Sequence, residues 1–204
     1  MAQHLAEERR RRPGGRSARV RAAVLRATFE ELASVGYPAL SFEALARRAG
    51  VHKTTLYRRW EGKEDLLLDA LLEHAGQAVP VPDTGSLRGD LRSLAREIVG
   101  NITSPEGEAI VRAISSLQHP EPALREAIDR FWNARFALTG QIVSRAADRG
   151  EVPRGTDAND VIESLIAPVY LRLAVTRRPL DDDAVTAIAD QAWAAATCPG
   201  KASR

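Results

Sequence analysis

The sequence has almost none of the residues from which covalently stapled or metal-held folds are built. Its 204 residues include one cysteine, Cys198, close to the C-terminus. One thiol closes no intrachain disulfide and builds no thiolate-rich zinc site, which fits a reducing compartment. The four histidines, His4, His52, His74 and His119, are scattered, and none shows a zinc or catalytic spacing. HExxH, GxSxG, GxGxxG and phosphate-loop motifs are missing. The acidic run Asp181-Asp182-Asp183 precedes a predicted helix, where carboxylates cap free N–H groups. No catalytic residue, metal ligand or cofactor is therefore expected, and the chain does not read as an enzyme. Long apolar runs are missing as well. The longest, Leu165 to Leu171, is far shorter than the ~20 residues that span a bilayer. The N-terminus is polar and has no signal-peptide core. The expectation is a cytoplasmic protein with no membrane partner. Aromatic residues make up 5% of the chain, whereas Ala, Leu and Arg abound. β-Branched residues seldom alternate with polar ones, so the fold class expected is all-α.

Charge is unevenly spread. The formal net charge is +2, yet residues 1–65 hold 14 Lys and Arg against 8 Asp and Glu. The remainder is net acidic. A basic first third fits either polyanion binding or a solvated tail. Residues 1–16 carry Arg9 to Arg12 followed by Pro13-Gly14-Gly15, which reads as a disordered basic arm.

Helical periodicity and turn residues divide the rest. A helix is expected from near Ser17 to Gly36, a second from Ser41 to Gly50, a short third over 52–60, and a fourth from Lys63 to the turn-rich segment at Pro80 and Pro82. Five more are expected at about 86–101, 106–118, 121–149, 158–177 and 182–197, with Gly140 marking a bend in the long one. The reading is a helix-turn-helix domain at 17–65 and a helical body at 66–200.

The informative stretch runs from Gly36 to Leu67. Two short helices flank a tight turn at Gly50. Leu56 and Trp60 lie four residues apart and share one face of the second helix. Residues 53, 54, 57 and 58 are left pointing away from that face. One moored stripe with a free polar surface is what a helix needs to enter a major groove. Thr55 and Tyr57 supply hydroxyls for phosphates, Arg58 and Arg59 supply charge, and Lys63 stands at the start of the next helix. Ser41 caps the first helix of the pair. Tyr57 is also placed to cap the small core, and Lys63 to be an ordinary first-turn residue.

This stretch resembles the TetR family of transcriptional regulators. The likeness rests on Gly36-Tyr37, Phe42, Ala46, Ala49-Gly50-Val51, Thr55-Leu56-Tyr57, Trp60 and Lys63-Glu64 followed by leucines. His52 and Thr54 depart from the residues usual there, and Trp60 is a conservative aromatic change. The resemblance implies an N-terminal three-helix DNA-binding domain on a C-terminal ligand-binding and dimerisation domain, about nine helices in all. It implies a homodimer, a double-stranded DNA operator and a small-molecule effector. Carried over, it puts Lys53, Thr54 and Arg58 against bases, and Ser41, Thr55, Tyr57, Arg59 and Lys63 against phosphates. The function expected is a repressor released from a palindromic operator by a small hydrophobic ligand. A ligand-independent DNA-binding protein or an activator is the alternative.

In the body, Ile162, Leu165, Ile166, Val169 and Leu173 form one broad apolar band, and Val185, Ile188, Ala192 and Trp193 another. The resemblance assigns both to the dimer interface; intramolecular core is the competing reading. For a ligand pocket the sequence offers Trp132, Phe136 and Tyr170 as apolar walls, with Gln118, His119 and Asn133 as polar groups.

Overall fold

A computed structural model describes residues 14–115 and 121–198. These residues are helical, with no strand among them. The chain divides into two compact units, residues 1–70 and 71–204.

In the first unit, α1 (Gly14–Val35) precedes α2 (Phe42–Ala49), α3 (Lys53–Tyr57) and the opening turns of α4 (Lys63–Ala78). Helix α1 starts at Gly14, ahead of the Ser17 expected as its cap. The two glycines fall in the first turn, where backbone N–H groups have no intrahelical partner in any case. Of the expected basic arm, Gly14 to Arg16 therefore belong to α1, and residues 1–13 lie outside the described residues. Val24, Leu25, Ala27 and Leu32 on α1 are buried with Phe42, Leu45 and Ala46 on α2. Arg48 on α2 reaches Glu31 on α1, Nε to Oε2 at 2.6 Å. Ser41 caps α2 by accepting from Ala44 N at 3.3 Å. Gly50 ends the helix at φ 66°, a left-handed conformation that glycine alone adopts cheaply. That turn sets the angle at which α3 leaves α2.

The second unit holds the rest of α4, then α5 (Leu87–Ile102), α6 (Pro105–Ser115), α7 (Pro122–Thr139), α8 (Gln141–Asp148), α9 (Ala158–Tyr170) and α10 (Asp182–Thr197). Helices α5, α9 and α10 enclose its core. Leu87, Leu91, Leu94, Ile98 and Ile102 recur along α5 at helical spacing, all buried. Asp181 caps α10 by accepting from Ala184 N at 2.9 Å, as its position before a helix requires. On the surface Asp190 of α10 accepts from Arg88 and Arg92 of α5 at 2.7–3.0 Å.

Two breaks refine the expected helices. The long helix over 121–149 divides at Gly140 into α7 and α8, so the nine expected segments appear as ten α-helices among the described residues. A Cβ at Gly140 would sit 3.1 Å from the Ala158 side chain and 2.9 Å from the Phe136 carbonyl oxygen. Glycine here admits the close approach of α9. The helix expected over 158–177 is α-helical only to Tyr170 and continues as a π-helical turn, Leu171–Thr176. Pro168 lies inside α9. It lacks an N–H and its ring crowds the preceding turn, which is a local cause for the widened register.

The burial pattern shows where the residues expected at the dimer interface lie within one protomer. Ile162, Leu165, Val169, Val185, Ile188 and Ala192 are buried within the protomer. They pack within its own core cluster. Ile166, Leu173 and Trp193 are half-buried and pack against that core. An apolar band records that a helix face is covered; it does not record whether the cover comes from the same chain. No helix among the described residues is long and apolar enough to cross a membrane.

Candidate nucleic-acid interface and body cavity

Helix α3 is moored by two side chains and presents the rest outward. Leu56 is fully buried and Trp60 is 5% exposed. Their burial is worth several kcal/mol together, at ~1.5–3 kcal/mol for a large apolar side chain. Trp60 also donates its indole N–H to Asp69 Oδ2 at 3.1 Å, and the same carboxylate pairs with Arg21 of α1. The segment is thus pinned at its C-terminal end as well as from beneath.

The helix proper is shorter than the expected 52–60. It ends at Tyr57, and both Arg59 N and Trp60 N donate to Leu56 O, at 2.8 and 2.9 Å. Arg58 and Arg59 consequently stand on a tightened turn. His52 precedes the helix in extended conformation and makes no side-chain cap. Its Nδ1 lies 3.3 Å from Thr54 Oγ1.

The three residues assigned to bases, Lys53, Thr54 and Arg58, are all exposed. The Lys53 ammonium lies 3.7 Å from Glu43, a pair exposed on both sides and so weakly bound. Among those assigned to phosphates, Tyr57 is 56% exposed. Its ring stands edge-on to Phe42, with centroids 4.9 Å apart, so it covers the small core while its hydroxyl stays outside. Arg59 is exposed, hydrogen-bonds Ser17 Oγ at 3.3 Å and lies over the Trp60 ring at 5.6 Å. Thr55 is half-buried. The Lys63 ammonium sits 4.4 Å from the Tyr37 ring centroid, and Tyr37 donates its hydroxyl hydrogen to Glu64. Ser41 spends its hydroxyl on the α2 cap. Lys53, Thr54, Tyr57 and Arg58 are therefore gathered on one open surface; Ser41 and Lys63 already have intramolecular partners.

The second unit contains a cavity of about 230 Å³, walled by Ile102, Ile110, Phe131, Trp132 and Tyr170, with His74 and Asn101 as polar lining. His74 Nε2 and Asn101 Oδ1 lie 2.7 Å apart. A smaller cavity of about 50 Å³ shares the Asn101, Phe131, Trp132 and Tyr170 walls and extends to Arg135 and Thr139. Two of the expected pocket residues, Trp132 and Tyr170, line both. Their rings meet edge to face at 5.8 Å. Of two others, Asn133 is exposed, one residue and about 100° around the helix from Trp132, and Phe136 packs against the core with its ring centroid 5.8 Å from that of Trp132. Gln118 and His119 lie outside the described residues.

Sequence reasoning missed Arg135, which is 8% exposed. Nη2 donates to Val79 O at 3.0 Å and Nη1 lies 3.4 Å from Ala75 O, so the side chain closes the C-terminal end of α4. Burial pulls the guanidinium below the usual arginine range, against the opposing effect of Tyr170. Burial likewise pushes the Tyr170 phenol up, opposed by Arg135. A usable signal was present, because Phe131, Arg135 and Thr139 recur at four-residue steps on the helix face that carries Trp132.

Comparison with known proteins gives a consistent result. Residues 24–70 match the family described as bacterial regulatory proteins, tetR family. Residues 81–192 match the tetracyclin repressor-like C-terminal domain. The chain is 37% identical to the HTH-type transcriptional regulator AqdR of Rhodococcus erythropolis over 157 residues, 76% of this chain and 75% of that one. It is 34% identical to the solved TetR family transcription regulator SCO0332, with a TM-score of 0.71 over 88% of this chain and 99% of that one. FadR of Bacillus subtilis, solved in complex with stearoyl-CoA, shares the fold at 18% identity, with a TM-score of 0.64 over 86% of this chain and 97% of that one.

Proposed function

The chain belongs to the TetR family of transcriptional regulators, and from that premise we propose that it is a repressor which binds a palindromic operator as a homodimer and is released by a small apolar molecule. DNA-binding regulation, rather than catalysis, is what its relatives share.

The observation that carries the reading is the division of labour on α3. Leu56 and Trp60 are buried, while Lys53, Thr54, Tyr57 and Arg58 stand exposed. Cations and hydroxyls on a rigidly held helix meet the two demands of a duplex, charge for phosphates and donors for base edges. Lys53, Thr54 and Arg58 face bases in this reading. Tyr57, Arg59 and Thr55 hold the backbone, with Lys63 and Ser41 contributing beside them. Arg58 is the strongest candidate for guanine, whose O6 and N7 match a guanidinium fork.

A homodimer presents two such helices to successive major grooves, about 34 Å apart or a multiple of that. Its pairing surface is drawn from the exposed sides of the last two helices, opposite the core residues. Leu171 and Val175 are 52% and 69% exposed there, and Ala187, Ala194 and Ala195 are exposed on α10. The cavity behind Trp132 and Tyr170 takes the effector. A molecule that binds better to a conformation with the wrong helix spacing lowers operator affinity by linkage. The protein works in the cytoplasm, where its operator is.

The test is a mobility-shift titration with the DNA upstream of the protein's own gene, alongside light scattering of the free protein. The reading expects one or more discrete complexes, a dimer in solution, and dissociation by a small apolar compound. Absence of a complex on that fragment at any salt concentration overturns it.

A further inference from the structure

We infer that the body cavity selects an aromatic molecule bearing a carboxylate, whose negative charge seats against Arg135. The inference rests on reading the cavity as the effector site and adds the chemical class of the effector.

Arg135 carries a charge with no acid beside it among the described residues. Arg135 is almost completely buried, and buried arginines are ordinarily paired. Its contacts among the described residues are two backbone carbonyls, Ala75 O and Val79 O. A guanidinium has five N–H donors, so these contacts leave several unused. The end of a helix offers only about half a negative charge, so the cation is not neutralised by α4. No carboxylate is among the residues lining either cavity. The charge is therefore left for something that enters.

The walls say what the rest of the molecule is. Phe131 and Trp132 meet edge to face at 5.2 Å, and Trp132 meets Tyr170 at 5.8 Å. The same aromatic side chains line both cavities, and Arg135 lines the smaller one. An apolar cavity of ~150 Å³ suffices for benzene. The larger cavity here, about 230 Å³, has room for a fused bicyclic ring, with its acid directed into the smaller one. A carboxylate suits the planar, forked guanidinium better than any neutral polar group. The hydroxyl of Tyr170, beside Arg135, is a second donor for the same oxygens.

The experiment uses an isosteric pair, 2-naphthoate and 2-naphthamide, titrated calorimetrically into the full-length protein at neutral pH. The expected result is at least tenfold tighter binding of the acid. In Arg135→Met that preference disappears while the amide binds as before. Arg135→Lys, which keeps the charge and a donor for the α4 end, retains part of it. Equal binding of acid and amide to the unaltered protein overturns the acid class and leaves the cavity as an effector site for neutral molecules. A preference for the acid that survives in Arg135→Met overturns the assignment to Arg135. Failure of both probes to bind overturns the effector cavity along with the inference. The comparison on the unaltered protein stands even where Arg135→Met proves too unstable to study.

Discussion

Trp60 and Asp69 are joined by a 3.1 Å hydrogen bond from the indole N–H to the carboxylate. The bond couples the end of the α3 segment to α4, and Arg21 brings α1 to the same carboxylate. Neither Trp60 nor Asp69 is exposed as Lys53, Thr54 and Arg58 are, yet both determine how firmly those residues are held. Replacing Asp69 by alanine strands the buried indole N–H, which costs about 1–3 kcal/mol. The expected outcome is a lower denaturant midpoint and weaker DNA binding, although no phosphate or base contact has been removed. Trp60→Phe keeps the apolar mooring without the N–H and is expected to lose less. Urea unfolding combined with anisotropy of a labelled duplex checks both.

Tyr57 has two separable parts. Its ring covers Phe42, and its hydroxyl is free to reach a phosphate. Tyr57→Phe is expected to leave stability within about 0.5 kcal/mol, as for a surface change, and to weaken DNA binding several-fold. Tyr57→Ala removes the ring contact too, and should lower both. Equal DNA affinity of the tyrosine and phenylalanine proteins would remove the hydroxyl from the contact set.

Asp190 predicts a pH dependence. Hydrogen bonds and attraction from Arg88 and Arg92 hold its carboxyl well below the ordinary aspartate range. A carboxyl depressed in the folded state stabilises the protein above its unfolded pKa, near 3.9. That contribution is lost as pH falls below this value through the folded pKa. Asp190→Asn should therefore unfold at lower temperature than the natural protein at pH 7. The gap should be constant from pH 5 to 8 and close progressively below about pH 4. Thermal unfolding across that range checks it, and added salt should narrow the neutral-pH gap because the pair is partly exposed.

Much of the fold could be read from the sequence because helices announce their ends. Ser41 and Gly50 bracket α2 with a cap and a left-handed stop, and Ser86 caps α5 by accepting from Gly89 N. The mooring of α3 could be read from the four-residue spacing of Leu56 and Trp60 alone. The sequence was less informative wherever the outcome depended on which surface covers a face. The bands at Ile162–Val169 and Val185–Ala192 are apolar for the protomer's own core, and periodicity carries no label for the partner. Arg135 carries a related ambiguity: its four-residue spacing from Phe131 and Thr139 is visible in the sequence, yet a charged residue on a helix reads as solvent-facing until the packing shows it against α4. Asn133 follows Trp132 in sequence yet stands about 100° from it around α7, and it is exposed. Pro168 marked the change to a π-helical turn, but a proline well inside a helix signals distortion without fixing its form.

Binding of duplex DNA by the exposed surface of α3 underlies the proposed function. It is tested most directly by measuring anisotropy of a labelled upstream duplex, over a range of salt concentrations, with the natural protein and with Lys53→Ala/Arg58→Ala. Tight binding that weakens steeply with salt is the expected result. The double variant should fold normally yet lose at least tenfold in affinity, and its preference for that duplex over unrelated DNA should fall. Salt-insensitive association, or affinity and preference unchanged in the double variant, would contradict it.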